Sequence, residues 1–179
     1  MQRVTLKDKT FVPYISSEKI SGSVTELAKK INTDLANEMP LFLVVLNGSF
    51  MFAADLLKEV TIPCEISFIK LASYHGTSST GTVVEMIGLT EEVKGRTVVI
   101  IEDIVDTGIT IEKLVNLLTK KEAKQIKVAT FLFKPAAYTK NIKIDYVGVE
   151  IPNDFVVGYG LDYDGLGRNM NSIYVLDSK

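Results

Sequence analysis

The chain predicts an α/β fold: a central, mainly parallel sheet flanked by helices on both faces, with a small hood lobe over one edge. Three observations predict it. Residues 41–46, LFLVVL, and 98–101, VVII, are apolar without alternation. Strands buried on both faces read this way, and such strands belong to parallel sheets. Each run is followed by a short polar loop and then a helical pattern, the alternation of a βα unit. The last stretch, residues 151–179, changes character to short strands with many glycines.

The elements follow in order. Val24, Leu27, Ala28, Ile31 and Leu35 share one helical face, so residues 16–37 read as an amphipathic helix ended by Pro40. Gly22 weakens its start, and Ser23 with Glu26 matches a capping box. After the 41–46 strand, Asn47-Gly48-Ser49 leads into a helix over 50–58. Pro63 precedes a strand over 65–71, EISFIKL. Residues 72–81, ASYHGTSSTG, have the composition of a polar loop or lid, and 82–87 returns as a strand. Lys94-Gly95 is a turn before the 98–101 strand, and a helix follows over 110–121. Strands are then predicted at 126–133 and 146–150. The whole, residues 1–179, reads as one domain, with the hood formed largely by 151–179.

Composition excludes several classes. Hydrophobic residues at 46% and charged residues at 23% are ordinary for a globular chain. The net charge of −2 supplies no basic field, so no nucleic-acid partner is expected. No apolar run approaches the roughly 18 residues of a membrane span, so no membrane partner is expected either. The N-terminus, MQRVTLKDKT, is not a signal peptide, and a cytoplasmic protein is expected. Cys64 is the only cysteine, and it reads as a small buried hydrophobe. His75 is the only histidine and receives no role.

The chemistry concentrates at 98–110, VVIIEDIVDTGIT. Ligands of open α/β sheets bind beyond the carboxyl ends of strands, which is where these acids and hydroxyls fall. Thr107, Gly108, Ile109 and Thr110 open a helix, so backbone N–H groups and hydroxyls can surround a phosphate. Glu102 and Asp103 are suited to accept hydrogen bonds from vicinal ribose hydroxyls. One loop thus offers both halves of a ribose-5-phosphate site. The plainer alternative also fits: Asp106 as a helix N-cap in an ordinary βα turn. No P-loop or dinucleotide fingerprint is present.

A long apolar strand, two acids, two apolar residues, an acid and a Thr-Gly turn resemble the 5-phosphoribosyl-1-pyrophosphate (PRPP) signature of the type I phosphoribosyltransferases. With IPNDFVVGYGLDY at 151–163, the chain resembles the hypoxanthine-guanine branch from about residue 15 to 176. The resemblance implies a purine-salvage transferase that joins a 6-oxopurine to PRPP, with Mg²⁺ as cofactor. It implies Asp106 as general base. It places Leu46, Asn47, Gly48, Ser73, Tyr74 and Arg168 on pyrophosphate, with a non-proline cis peptide at Leu46–Asn47. The family commonly carries Lys where this chain has Asn47. Ile104, Lys134, Phe155 and the Val156 backbone would form the base pocket. Asp162, with Glu102 and Asp103, would help hold the metal. A homodimer or homotetramer is implied. Two other readings stay open: a xanthine-preferring transferase, and a non-catalytic PRPP- or nucleotide-sensing regulator on the same fold.

Overall fold

The computed structural model describes residues 2–74 and 83–177. Among them lie the strands β1 (Val4–Leu6), β2 (Lys9–Ile15), β3 (Leu41–Leu46), β4 (Glu65–Tyr74), β5 (Val83–Ile87), β6 (Thr97–Val105), β7 (Gln125–Phe133), β8 (Tyr146–Glu150), β9 (Val156–Val157) and β10 (Ile173–Leu176). The helices are α1 (Ser17–Asp34), α2 (Phe50–Glu59) and α3 (Ile109–Lys120). The large sheet runs β5-β4-β3-β6-β7-β8. All its pairings are parallel except the antiparallel edge pair β4–β5. His75 and the rest of the predicted lid as far as residue 81, with Thr82 of the predicted strand after it, lie outside the described residues.

Both faces of the central strands are covered, as the unbroken apolar runs require. Phe42, Val44, Val99 and Ile101 join one core with Ile20, Val24, Leu27 and Ile31 of α1 and Phe52 and Leu56 of α2. Leu41, Leu43, Val98 and Ile100 join the other with Ile111, Leu114 and Leu118 of α3. Fully burying a side chain of this size contributes about 1.5–3 kcal/mol. Cys64 is half-buried against the first core, and burial pushes its thiol pKa up. It packs there as a small hydrophobe.

Two expectations need correction. Ser16, not Ser23, caps α1: its side chain accepts a hydrogen bond from the Lys19 N–H at 3.3 Å. Ser23 falls inside the helix, because the apolar stripe starts a turn earlier, at Ile20. The β4 strand continues through Tyr74, three residues past its predicted end, because β5 pairs along it from Lys70 to Tyr74. Hydrogen bonding to a neighbour overrides the polar composition there.

The small sheet runs β1-β2-β10-β9 and is antiparallel throughout. The hood expected from 151–179 therefore draws two of its four strands from the N-terminus. Those strands were not predicted from sequence. KTFVPYI carries Pro13 and no clean alternation, and its strand character depends on pairing with β10 far along the chain.

Candidate active site

Parallel strands end on the same edge of a sheet. In the order β4-β3-β6-β7-β8, five carboxyl ends stand side by side. Ser73 and Tyr74 close β4, Leu46 closes β3, Glu102 to Val105 close β6, Lys134 follows β7, and the 151–168 segment follows β8. Topology thus brings the candidate residues of β3, β4, β6 and β7 to one edge. Of Ser73 and Tyr74, the backbone pairing with Val84 and Val83 is defined.

The β6 acids lie partly buried next to each other. Burial, then the neighbouring Asp103, hold the Glu102 pKa well above the ordinary carboxylate range. Burial pushes Asp103 up to about 6, opposed by the Ile104 N–H, which donates to its Oδ1 at 2.7 Å, and by Arg168. The Glu102 Oε2 is buried without a hydrogen-bond partner. A buried orphan acceptor is costly, and ribose hydroxyls or a divalent cation would relieve it. Among the described residues no cage of three or more metal-ligating side chains forms. The donor set fits Mg²⁺ of the kind held by one or two carboxylates together with substrate oxygens.

The Leu46–Asn47 peptide bond is cis. The loop it begins is pressed between two walls. A Cβ built on Gly48 would lie 1.5 Å from Asp103 Oδ2, and one built on Gly160 would lie 1.9 Å from the Gly48 carbonyl oxygen. Arg168 donates to the Gly160 carbonyl at 2.8 Å and pairs with Asp162 at 2.6 Å. The other Asp162 oxygen accepts from the Gly165 N–H at 2.7 Å. Asn47, Gly48, Asp103, Asp162 and Arg168 therefore form one contiguous patch. Gly160 was not singled out from sequence; its role depends wholly on its contact with Gly48.

The phosphate-loop prediction meets a decisive detail. The α3 N-cap is Gly108, at φ 83°, and no side chain caps the helix. Asp106 is therefore not the cap, and the first-turn N–H groups of α3 are free of side-chain partners. Anions are favoured at such a terminus. Gly108 is also fixed by space: an added Cβ would meet Tyr138 at 2.4 Å and Lys140 at 2.8 Å. Thr139 Oγ1 donates to the Thr107 carbonyl at 3.2 Å. Residues 138–140 thus buttress the loop from behind, a function no local pattern announces.

Asp106 is exposed, and its Oδ2 lies 3.4 Å from the Lys134 ammonium. Lys134 itself is only 9% exposed, against the usual solvated lysine at a strand end. Ile104 packs partly buried against the first core. Phe155 is 44% exposed, so it is not an ordinary core aromatic. Val156 lies on β9, the edge strand of the hood sheet, whose free side leaves backbone groups open to a ligand.

An acid pair, an open helix N-terminus and a lysine–aspartate pair, all at the carboxyl edge of a parallel sheet, define a phosphoribosyl-transferring class of enzyme. The comparisons agree. A family model described as a phosphoribosyl transferase domain matches residues 16–164. The chain is 42% identical over 163 residues to the hypoxanthine-guanine phosphoribosyltransferase of Bacillus subtilis (strain 168), covering 90% of this chain and 91% of that one. The structure of a hypoxanthine phosphoribosyltransferase from Staphylococcus aureus superposes with a TM-score of 0.85 at 34% identity, over 93% of this chain and 91% of that one. That of the Trypanosoma cruzi hypoxanthine phosphoribosyltransferase, in a ternary substrates complex, gives 0.85 at 32% identity, over 97% and 98%. The chain belongs to the phosphoribosyltransferase family, in its hypoxanthine-guanine branch, and is a transferase of purine salvage.

Proposed function

We propose that the chain joins hypoxanthine, and with it guanine, to PRPP, giving the nucleoside 5′-monophosphate and pyrophosphate. The observation that carries this reading is the buried Lys134 ammonium set 3.4 Å from Asp106, between the β6 acids and the base-side segment after β8. Lys134 donates to the 6-oxo group. Asp106 takes the proton from the attacking imidazole nitrogen. Phe155 and Ile104 enclose the purine ring, and the Val156 backbone reads its edge. Thr107, Gly108, Ile109 and Thr110 hold the 5′-phosphate at the α3 terminus. Glu102 and Asp103 accept from the ribose hydroxyls, and their charge favours the cationic sugar formed as pyrophosphate departs. Leu46, Asn47, Gly48, Ser73, Tyr74 and Arg168 face the pyrophosphate. One or two of the carboxylates Glu102, Asp103 and Asp162, with substrate oxygens, would hold Mg²⁺, which when bound would neutralise charge on the leaving pyrophosphate.

The protein works as a homodimer or homotetramer in the cytoplasm. Among the described residues no helix is long and apolar enough to cross a membrane. The test of the reading is direct: purified protein with PRPP and Mg²⁺, offered each nucleobase in turn, should form nucleotide with hypoxanthine and guanine. Absence of product with both would overturn it. Xanthine as the preferred base, or PRPP binding without turnover, would favour the two other readings.

Two substitutions probe the pyrophosphate loop. Gly48→Ala must displace Asp103 or the loop, and overpacking of this kind costs about 1–3 kcal/mol. KM for PRPP should rise roughly tenfold, the equivalent of about 1.4 kcal/mol. An unchanged KM would mean that the loop yields freely. Asn47→Lys supplies the cation found in relatives at an exposed position. It should tighten pyrophosphate binding by about 1 kcal/mol or less, read as stronger product inhibition. Unchanged inhibition would assign the loop's contribution to its backbone alone.

A further inference from the structure

The turn between β1 and β2 reaches the base-side segment through three consecutive residues. Lys7 forms an ion pair with Asp164. Asp8 Oδ1 accepts a hydrogen bond from the Tyr163 hydroxyl at 2.8 Å. The Lys9 ammonium lies 5.0 Å from the Tyr163 ring centroid and 6.0 Å from that of Phe155. Two residues on, the fully buried Phe11 sets its ring 6.1 Å from both aromatics. Tyr163 meets Phe155 edge-to-face at 6.0 Å and 85°. This hairpin precedes residue 16, where the match to the family model begins, and no step of the reaction above uses it.

Phe155 needs such support. Phe155 is 44% exposed, so core packing surrounds its ring on only part of its surface. A stacking platform that must be ordered when the base arrives loses affinity to that ordering, and one already held does not. Exposed ion pairs contribute little, so the Lys7–Asp164 pair is the least important of the links. The Asp8–Tyr163 hydrogen bond and the Lys9 cation over the two rings are directional.

We propose that Asp8 and Lys9 of the β1–β2 turn are positioning residues of the base site: acting through Tyr163, they hold the Phe155 ring in place for the purine. The proposal rests on Phe155 stacking against the base. It makes the N-terminal hairpin part of base recognition while leaving PRPP recognition to the large sheet.

The experiment is steady-state kinetics of the full-length chain, with hypoxanthine varied at saturating PRPP and PRPP varied at saturating hypoxanthine. Lys9→Met keeps the apolar stem and removes the charge. Tyr163→Phe keeps the ring and removes the hydrogen bond to Asp8. Each should raise KM for hypoxanthine about two- to fivefold, as for a partly exposed cation–π contact or a single hydrogen bond. The double variant should raise it further, with no change in KM for PRPP. Lys9→Arg, which keeps a cation over the rings, should restore the wild-type KM for hypoxanthine. A double variant with wild-type KM for hypoxanthine would overturn the proposal. So would an equal rise in both KM values, which marks general loosening of the hood, or a Lys9→Arg variant as impaired as Lys9→Met. Phe155→Leu, measured alongside, separates the two levels. If it raises KM for hypoxanthine while the hairpin variants do not, only the positioning role falls. If it leaves that KM unchanged, the stacking role falls and takes the positioning role with it.

Discussion

Asp106→Asn is expected to lower kcat by roughly 10²–10⁴-fold, the range for removal of a general base. Asparagine keeps the size and the acceptor oxygen of the side chain but cannot take up the proton released as the purine nitrogen bonds to the sugar. PRPP affinity should change far less, because the proposed function assigns the phosphate to the α3 terminus and the ribose to Glu102 and Asp103. Thermal stability should change little as well: Gly108 occupies the N-cap of α3, and no side chain caps it, so no helix-capping hydrogen bond is lost. Single-turnover rates with equilibrium PRPP binding on the same preparation separate these terms. A wild-type rate would remove Asp106 from the chemistry. A loss of PRPP affinity as large as the loss of rate would assign it to binding instead.

The second large effect is base choice. Lys134 offers three N–H donors and no acceptor, and it does so from a nearly buried position. A 6-oxo group accepts from it. The 6-amino group of adenine presents donors to a donor; Asp106 still pairs with the ammonium, but its base-facing N–H is left without an acceptor, at about 1–3 kcal/mol. Sites built on such pairing reject the wrong partner by up to about 10⁴-fold or more. Turnover with hypoxanthine should therefore exceed turnover with adenine by a ratio of that order in kcat/KM. Lys134→Ala should cut the hypoxanthine value strongly and shrink the ratio, while KM for PRPP stays close to wild type. Comparable use of adenine by the unaltered enzyme would refute the placement of Lys134, though not the phosphoribosyl site at 102–110.

How much of this was legible in the chain differs from element to element. LFLVVL and VVII announced buried parallel strands because a strand covered on both faces has no polar side to show. The acids after VVII announced a ribose-phosphate site because the carboxyl end of such a strand is where ligands sit. In both cases a local pattern reports a local environment: the observed β3 and α3 boundaries follow it closely, whereas β6 runs on past its predicted end through Glu102 and Asp103 to Val105, because β7 pairs along it as far as Phe133. Capping was less legible: Ser16 and Ser23 offer the same chemistry, and only the burial of Ile20 decides which one starts α1.

The sequence by itself determined the class of fold and, through its resemblance to the hypoxanthine-guanine branch, the kind of transferase; the ribose-phosphate role of residues 102–110 belongs to the proposed function. The tertiary structure alone decided what touches what across the site. It alone showed that Asp106 faces Lys134 rather than capping α3, that Gly48 is wedged between Asp103 and Gly160, and that residues 138–140 brace Gly108. It also decided that the hood begins at the N-terminus, where Lys7 meets Asp164 across 157 positions of chain. The physical reason is range. Periodicity and composition record how each residue meets solvent and its near neighbours. Contacts between distant segments depend on strand order and loop closure, which no single stretch of sequence encodes.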